Sequence, residues 1–298
     1  MYKLKYSLSS PEPLYRARLV ARGFKDTNSY DTSEIYAPVI ESSDVRILFS
    51  LANKAGLLLR QLDIKTAFLH GVLEKPVYMS LPDGYPDKSS LKSDYVCRLI
   101  KSLYGLKVSP KRWFERFRGT VLELGFQPFW LKPCIFLWKK HNRYVILALY
   151  VDDILLLGNN AAKMDHVIRD LRLKFEVKDM GDPSSFLGMQ INRDTKARTI
   201  FLHHEKYVRT IIHRLPVATL KLANSPILTS DAIRHQKDTP LGAPPNHTDY
   251  RMAVGSLIHL ANGTRPDISF AVNSVSRAQA NPTYSPFLRQ KPNTSPPA

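Results

Sequence analysis

Two adjacent acids, Asp152 and Asp153, stand in the tetrad Tyr150-Val151-Asp152-Asp153 between two strongly apolar runs, Val145–Leu149 and Ile154–Leu157. Runs of that length and composition read as buried strands, so the chain has to reverse direction at the acids. Two carboxylates at the bend of a buried hairpin repel each other and lose hydration, and something positive must compensate. A divalent metal is the natural candidate. The other reading is a plain hairpin turn, whose geometry Asp tolerates well.

The pair has company. Upstream lies Gln61-Leu62-Asp63-Ile64-Lys65-Thr66-Ala67-Phe68-Leu69-His70-Gly71, a third acid at the end of a short apolar run with an aromatic five positions later. A helix cap followed by a core Phe would look the same. Between the two elements comes Lys101-Ser102-Leu103-Tyr104-Gly105-Leu106-Lys107-Val108-Ser109-Pro110, where Gly105 relieves the backbone and Ser109-Pro110 opens a helix. The periodicity predicts a helix over 43–56, capped by Ser43 and stopped by Gly56, with Val45, Leu48, Phe49 and Ala52 on one face. A second helix runs from a Ser109 cap through Trp113, Phe114, Phe117, Val121 and Leu124 to Gly125, and a third carries Met164, Val167, Ile168 and Leu171. Short strands are expected over 175–180, 186–191 and 199–202, with turns at 181–183 and 192–195. Strand, helix, acidic hairpin, helix, strand is an α+β order, with helices on one face of an antiparallel sheet.

The formal net charge of +17 calls for an anionic partner, because so many Lys and Arg repel one another without one. Nucleic acid fits better than a membrane surface. Lys3, Lys5, Arg16, Arg18, Arg22 and Lys25 crowd the N-terminus, and Arg98, Lys101, Lys107, Lys111, Arg112, Arg116 and Arg118 surround Tyr104-Gly105, so both clusters border the proposed chemistry. Cys97 and Cys134 lack CxxC spacing, which argues against a zinc knuckle or disulfide framework and suits a reducing compartment. The start has no apolar signal core and no run is long enough to cross a bilayer, so a soluble protein is expected.

With these motifs in order, the chain resembles the reverse transcriptase of copia-type long-terminal-repeat retrotransposon polyproteins from Tyr15 to about Pro282. The resemblance rests on YRARLVARGF (15–24), YAPVI (36–40), QLDIKTAFLHG (61–71), VYMSLPDGY (77–85), VCRLIKSLYGLKVSP (96–110), LYVDDILLLGN (149–159), FLGMQI (186–191), YRMAVGSLIHL (250–260) and TRPDISFAV (264–272). It implies a right-hand polymerase of fingers, palm and thumb with a ferredoxin-like antiparallel palm sheet. Residues 1–224 would be the reverse transcriptase, 225–249 a linker, 250–280 part of a connection segment, and the proline-rich 281–298 a disordered tail.

By the same resemblance Asp63 and Asp152 bridge two Mg²⁺ ions, for which Mn²⁺ can substitute, with Ile64 lending a carbonyl and Asp153 support. Arg16 or Arg18 would grip the triphosphate of a deoxynucleotide. Thr66, Ala67, Phe68, Tyr104 and Gly105 would form its pocket, with Phe68 excluding a 2′-hydroxyl. Tyr150, Lys107 and a primer-grip hairpin at Phe186-Leu187-Gly188-Met189 would hold the RNA/DNA template-primer. Lys178 is a candidate proton donor to pyrophosphate, or a solvated lysine. No membrane partner is implied, the oligomeric state is left open, and the location would be a cytoplasmic virus-like particle or the nucleus. Val108, Ser109, Met180 and an apparent insertion at Gly263 depart from the family pattern, as does the closing stretch TYSPFLRQKPNTSPPA, which reads as a frameshift or gene-model boundary. The chain is thus expected to be the polymerase portion of a polyprotein. Two competitors stand: a nucleic-acid-binding remnant without turnover, and a small metal-dependent phosphohydrolase, which leaves the Tyr-Gly element unexplained.

Overall fold

The computed structural model describes residues 2–7, 10–82, 84–85, 95–214, 225–226 and 247–280, and the chain falls into two compact units, Met1–Pro183 and Ser184–Ala298. The first begins with an antiparallel ribbon of β1 (Tyr2–Ser7) and β2 (Ser10–Ala17), which sets Arg16 opposite Lys3. There follow α1 (Thr32–Ile35), α2 (Ser42–Lys54), β3 (Leu58–Ile64), a 3₁₀ turn (Ala67–His70), and a second ribbon of β4 (Val72–Ser80) and β5 (Val96–Lys101). Next come α3 (Ser109–Glu123), β6 (Gln127–Phe129), β7 (Lys132–Lys140), β8 (Arg143–Tyr150), β9 (Asp153–Gly158), α4 (Ala161–Lys174) and β10 (Val177–Gly181). Six strands make one sheet in the order β10-β3-β9-β8-β7-β6, every neighbouring pair antiparallel. Helices combine with an antiparallel sheet, as the order of elements predicted, although burial along β9 shows cover on both faces of the sheet and not on one.

Burial explains the order. In β9 every residue from Ile154 to Gly158 is buried, as a central strand covered on both faces must be, and the apolar run has no polar residue to turn outward. Helix α2 buries Val45, Leu48, Phe49 and Ala52, the stripe its spacing predicted. Helix α3 buries Trp113, Phe114, Phe117, Thr120 and Val121, and Phe117 meets Phe136 of β7 with ring centres 6.3 Å apart. Each such fully buried ring contributes about 1.5–3 kcal/mol through the area it removes from water.

The caps differ from expectation. Helix α2 starts one residue earlier, with Glu41 as its cap and the Asp44 carboxylate accepting from the Glu41 N–H at 3.2 Å, so Ser43 lies inside the helix. Ser109 is likewise the first helical residue after Val108. It is buried, and its hydroxyl donates to Leu103 O at 2.6 Å instead of capping.

Main chain packs on main chain where Tyr104-Gly105 meets the N-terminal segment. The Ala21 N–H donates to Tyr104 O at 2.7 Å, and a Cβ on Gly105 would fall 2.1 Å from Ala21 O. With φ at +92° as well, only glycine fits that position.

The second unit holds a three-stranded antiparallel sheet of β11 (Ser185–Phe186), β12 (Met189–Asp194) and β13 (Thr199–His203), then α5 (Glu205–Arg214), α6 (His247–Gly263), a 3₁₀ turn (Pro266–Ile268) and α7 (Ser269–Ser276). The stretch 186–191, one strand by pattern alone and a hairpin by the family resemblance, is a hairpin: Leu187 and Gly188 both have positive φ, and buried Phe186 and Met189 face each other across the turn. The next reversal lies at 195–198 rather than 192–195, because β12 continues to Asp194. Helix α6 takes in the last three residues of the expected linker. Apart from 225–226, the rest of that linker lies outside the described residues, as does the whole expected tail over 281–298. Gly263, expected as an insertion, has a structural use: a Cβ there would come within 2.5 Å of the buried His204 ring, whose Nδ1 pairs with Thr264 Oγ1 at 2.8 Å. Among the described residues no helix is long and apolar enough to cross a membrane.

Candidate active site

Register brings the acids together. Across the sheet Lys178 of β10 is opposite Asp63 of β3, Asp63 opposite Asp153 of β9, and Asp153 opposite Tyr150 of β8. Directly opposed residues project to the same face, so these four side chains form one row at the end of the sheet. Asp152 sits beside the row in the two-residue turn that joins β8 to β9, while Asp153 is the first residue of β9, not part of the bend. The turn is tied to both neighbours. The Ile64 N–H donates to Asp152 O at 2.8 Å, and the Trp113 indole Nε1–H donates to Val151 O at 2.6 Å.

Burial, then the Asp152 charge, push the Asp153 carboxyl up to about 6, with Asp63 adding to the push and a long 3.5 Å hydrogen bond from Gln61 Nε2 opposing it. Among the described residues no set of three or more His, Cys, Asp or Glu side chains is gathered closely enough to form a metal-binding group. Mutually repelling carboxylates have no reason to close up on their own. The donor chemistry nevertheless suits a hard dication such as Mg²⁺, which prefers carboxylate oxygens and would offset the burial and the neighbouring charges that raise Asp153.

That raised value has a consequence for stability. Because the folded state holds the Asp153 proton more tightly than the unfolded chain, the group costs stability as pH climbs from the ordinary carboxylate range through about 6. The nominal cost of about 3 kcal/mol falls to about 1–2 kcal/mol because water still reaches the carboxyl. Asp153→Asn in EDTA is therefore expected to raise Tm by a few degrees at pH 7.5 and by almost nothing near pH 4. Thermal melts at the two pH values check this; an equal shift at both would remove the carboxylate as its origin.

A second cluster lies on the 3₁₀ turn after β3. Thr66, in the left-handed region at φ +52°, turns the chain, buried Ala67 anchors it, and Phe68 stays half-buried. The Phe68 ring meets Tyr104 edge-on, with centres 5.0 Å apart, and the Arg18 guanidinium lies 5.2 Å from the Tyr104 ring centre. The Phe68 carbonyl accepts from the Ser102 hydroxyl and from the Gly71 N–H.

Other expected site residues have the following settings. Lys107 donates to Asp26 O at 2.8 Å and lies over the Tyr30 ring, whose hydroxyl, bonded to the Asp26 carboxylate at 2.7 Å, holds that acid below its usual range. Arg16 is on β2, and Phe186–Met189 belongs to the second unit. Sequence reasoning had Trp113 only as core and did not single out Ser102. Both act through hydrogen bonds to carbonyls more than 30 positions away, for which a one-dimensional pattern carries no signal.

Comparison with known proteins bears on this geometry directly. The family described as reverse transcriptase (RNA-dependent DNA polymerase) matches residues 1–229. The retrovirus-related Pol polyprotein from transposon TNT 1-94 of Nicotiana tabacum is 36% identical over 287 residues, covering 95% of this chain and 21% of the relative. The Pol polyprotein from transposon RE2 of Arabidopsis thaliana is 37% identical over 269 residues, covering 90% of this chain and 18% of the relative. The chain thus spans about a fifth of the length of these relatives. The stretch they share contains the acidic row, the turn and the aromatic pair, and the chain belongs to the reverse transcriptase family of copia-type retrotransposon Pol polyproteins.

Proposed function

We propose that the chain is an RNA-directed DNA polymerase that adds deoxynucleotides to a primer held on an RNA or DNA template. The observation that carries this reading is the register Lys178–Asp63–Asp153–Tyr150 with Asp152 in the adjoining turn. It gathers three carboxylates, a lysine and a tyrosine at one sheet end. The sheet supports a palm reading as well. Taken with α3 and α4, strands β3, β8, β9 and β10 follow a β-α-β-β-α-β order in the spatial sequence fourth-first-third-second, which would suit a ferredoxin-like palm. The ribbons before and after β3 would be fingers, and α5 would belong to the thumb.

Asp63 and Asp152 would hold two Mg²⁺ ions, with the Ile64 carbonyl and Asp153 in support; bound there, such ions would supply positive charge for the primer 3′-hydroxyl and the transferring phosphate. Arg18, whose guanidinium lies over the Tyr104 ring, or Arg16 would grip the triphosphate beside Phe68. Tyr104, Gly105, Thr66 and Ala67 shape the nucleotide pocket, and Tyr150 bears on the primer end. Lys178 Nζ, in the row beside Asp63, would give its proton to the departing pyrophosphate oxygen. The Phe186–Met189 hairpin would grip the primer strand.

Extension of a DNA primer on an RNA template with Mg²⁺, and with Mn²⁺ in parallel, tests the reading. Binding without extension would instead favour the alternative of a nucleic-acid-binding remnant, a reading the loosely gathered carboxylates leave standing. Binding itself should be almost indifferent to sequence, because a net charge of +17 acts on phosphates. If six or more phosphates are contacted, affinity should fall roughly a thousandfold between about 50 and 200 mM salt. A flat salt titration would contradict phosphate-led binding.

A further inference from the structure

Val151 is a β-branched residue held at φ +54°, in the turn that presents Asp152. Such residues avoid the left-handed region, so the surroundings must enforce the conformation. The two peptide planes that flank the Asp152 Cα are both pinned, and from different elements. Val151 O, in the plane before it, accepts the Trp113 indole proton from α3 at 2.6 Å; Asp152 O, in the plane after it, accepts the Ile64 N–H from β3 at 2.8 Å. Fixing those planes fixes the direction of the Asp152 side chain. The indole has no freedom to drift, since Trp113 is 1% exposed and is packed by Phe175 at 5.3 Å, Phe117 at 5.5 Å and His70 at 5.9 Å between ring centres. An indole N–H can only donate, and here it reaches past its own helix to a carbonyl of the turn that carries the positive φ.

We propose that Trp113 is a positioning residue: its indole N–H locks the Val151 carbonyl and thereby aims the Asp152 carboxylate at the metal-binding side of the site. This rests on the polymerase reading for its catalytic consequence, but the turn geometry can be tested without catalysis.

Trp113→Phe keeps a ring in the cage and removes the donor. In primer extension, kcat is expected to fall about tenfold to a hundredfold and the Mg²⁺ concentration for half-maximal rate to rise about tenfold, while KM for deoxynucleotide and the Kd for template-primer change less than twofold. Adding Val151→Gly, which accepts positive φ without strain, should recover much of the loss. In protein alone, the Mg²⁺ midpoint for thermal stabilisation should rise by the same factor as in the assay. Of the three indole N–H signals in an NMR spectrum, the one that disappears in Trp113→Phe should be the slowest to exchange in wild type. An unchanged Mg²⁺ midpoint in both assays, or a fast-exchanging Trp113 indole, overturns the proposal. So does a general fall in kcat, template binding and Tm that Val151→Gly does not rescue. If wild type extends no primer, the polymerase reading fails, and the Mg²⁺ midpoint in protein alone together with indole exchange still decides the role of Trp113.

Discussion

Asp152→Asn combined with Asp153→Asn is expected to lower primer extension by roughly a thousandfold or more while duplex binding stays unchanged or tightens slightly. The size follows from the proposed task of the carboxylates: if they hold a metal at the transferring phosphate, losing their charge removes several kcal/mol of transition-state stabilisation, and about 4 kcal/mol is already a factor of about a thousand. Binding should survive because the basic surface is untouched and two negative charges near the template-primer are gone. The single variants separate the roles. Asp152→Asn alone should lose nearly as much as the pair, whereas Asp153→Asn, at the strand start between Asp63 and Tyr150, should lose less. Steady-state extension and filter or anisotropy binding on the same preparations measure both halves. Retained extension by the double variant would sink the metal assignment.

How far the sequence reached is clearest at these same residues. The apolar runs on either side of Asp152-Asp153 leave little choice but two buried strands, and the run before Asp63 another, so the acids could be put at strand ends from pattern alone. What pattern could not supply is register. That Lys178 lies opposite Asp63, 115 positions away, depends on which strands pair, and pairing is decided by the packing of the whole sheet. Pattern alone makes the hairpin at Leu187-Gly188 a continuous strand, because its flanks are apolar and Leu gives no hint of a left-handed backbone; only the family resemblance points to a turn there. Ser109 misled in another way. A serine before proline reads as a cap, but this hydroxyl is buried against the Tyr-Gly segment, where Leu103 O needs a donor more than the helix end does. Residue types and their order carry the chemistry of this chain; the long-range carbonyl bonds that aim the side chains come only with the fold.

The aromatic pair gives the sharpest test of what kind of site this is. Phe68 differs from core rings such as Phe117 and Phe136, which are fully buried: it is half-buried, and is held by Tyr104 and by the bonds to its own carbonyl. A half-buried ring held in place by a neighbour is suited to meet a ligand. If that ligand is the sugar of an incoming nucleotide, the ring leaves no room for a 2′-hydroxyl, and forcing an extra polar atom into a packed site costs about 1–3 kcal/mol, or roughly 5- to 150-fold in selectivity. Phe68→Val should therefore raise ribonucleotide use relative to deoxynucleotide use by a factor in that range. Loss of the edge-on contact with Tyr104 should cost only about 1 kcal/mol of stability, so the variant should remain folded at the assay temperature. The measurement is kcat/KM for matched ribo- and deoxynucleotides in wild type and variant, with Tm recorded beside it. Equal losses for the two substrates would make Phe68 ordinary packing and would break the link between the Asp63 strand and the nucleotide pocket. A narrowed ratio requires the sugar to sit over the Phe68 ring, one turn beyond the acid that would hold the metal, which is the juxtaposition a polymerase needs and a phosphohydrolase does not.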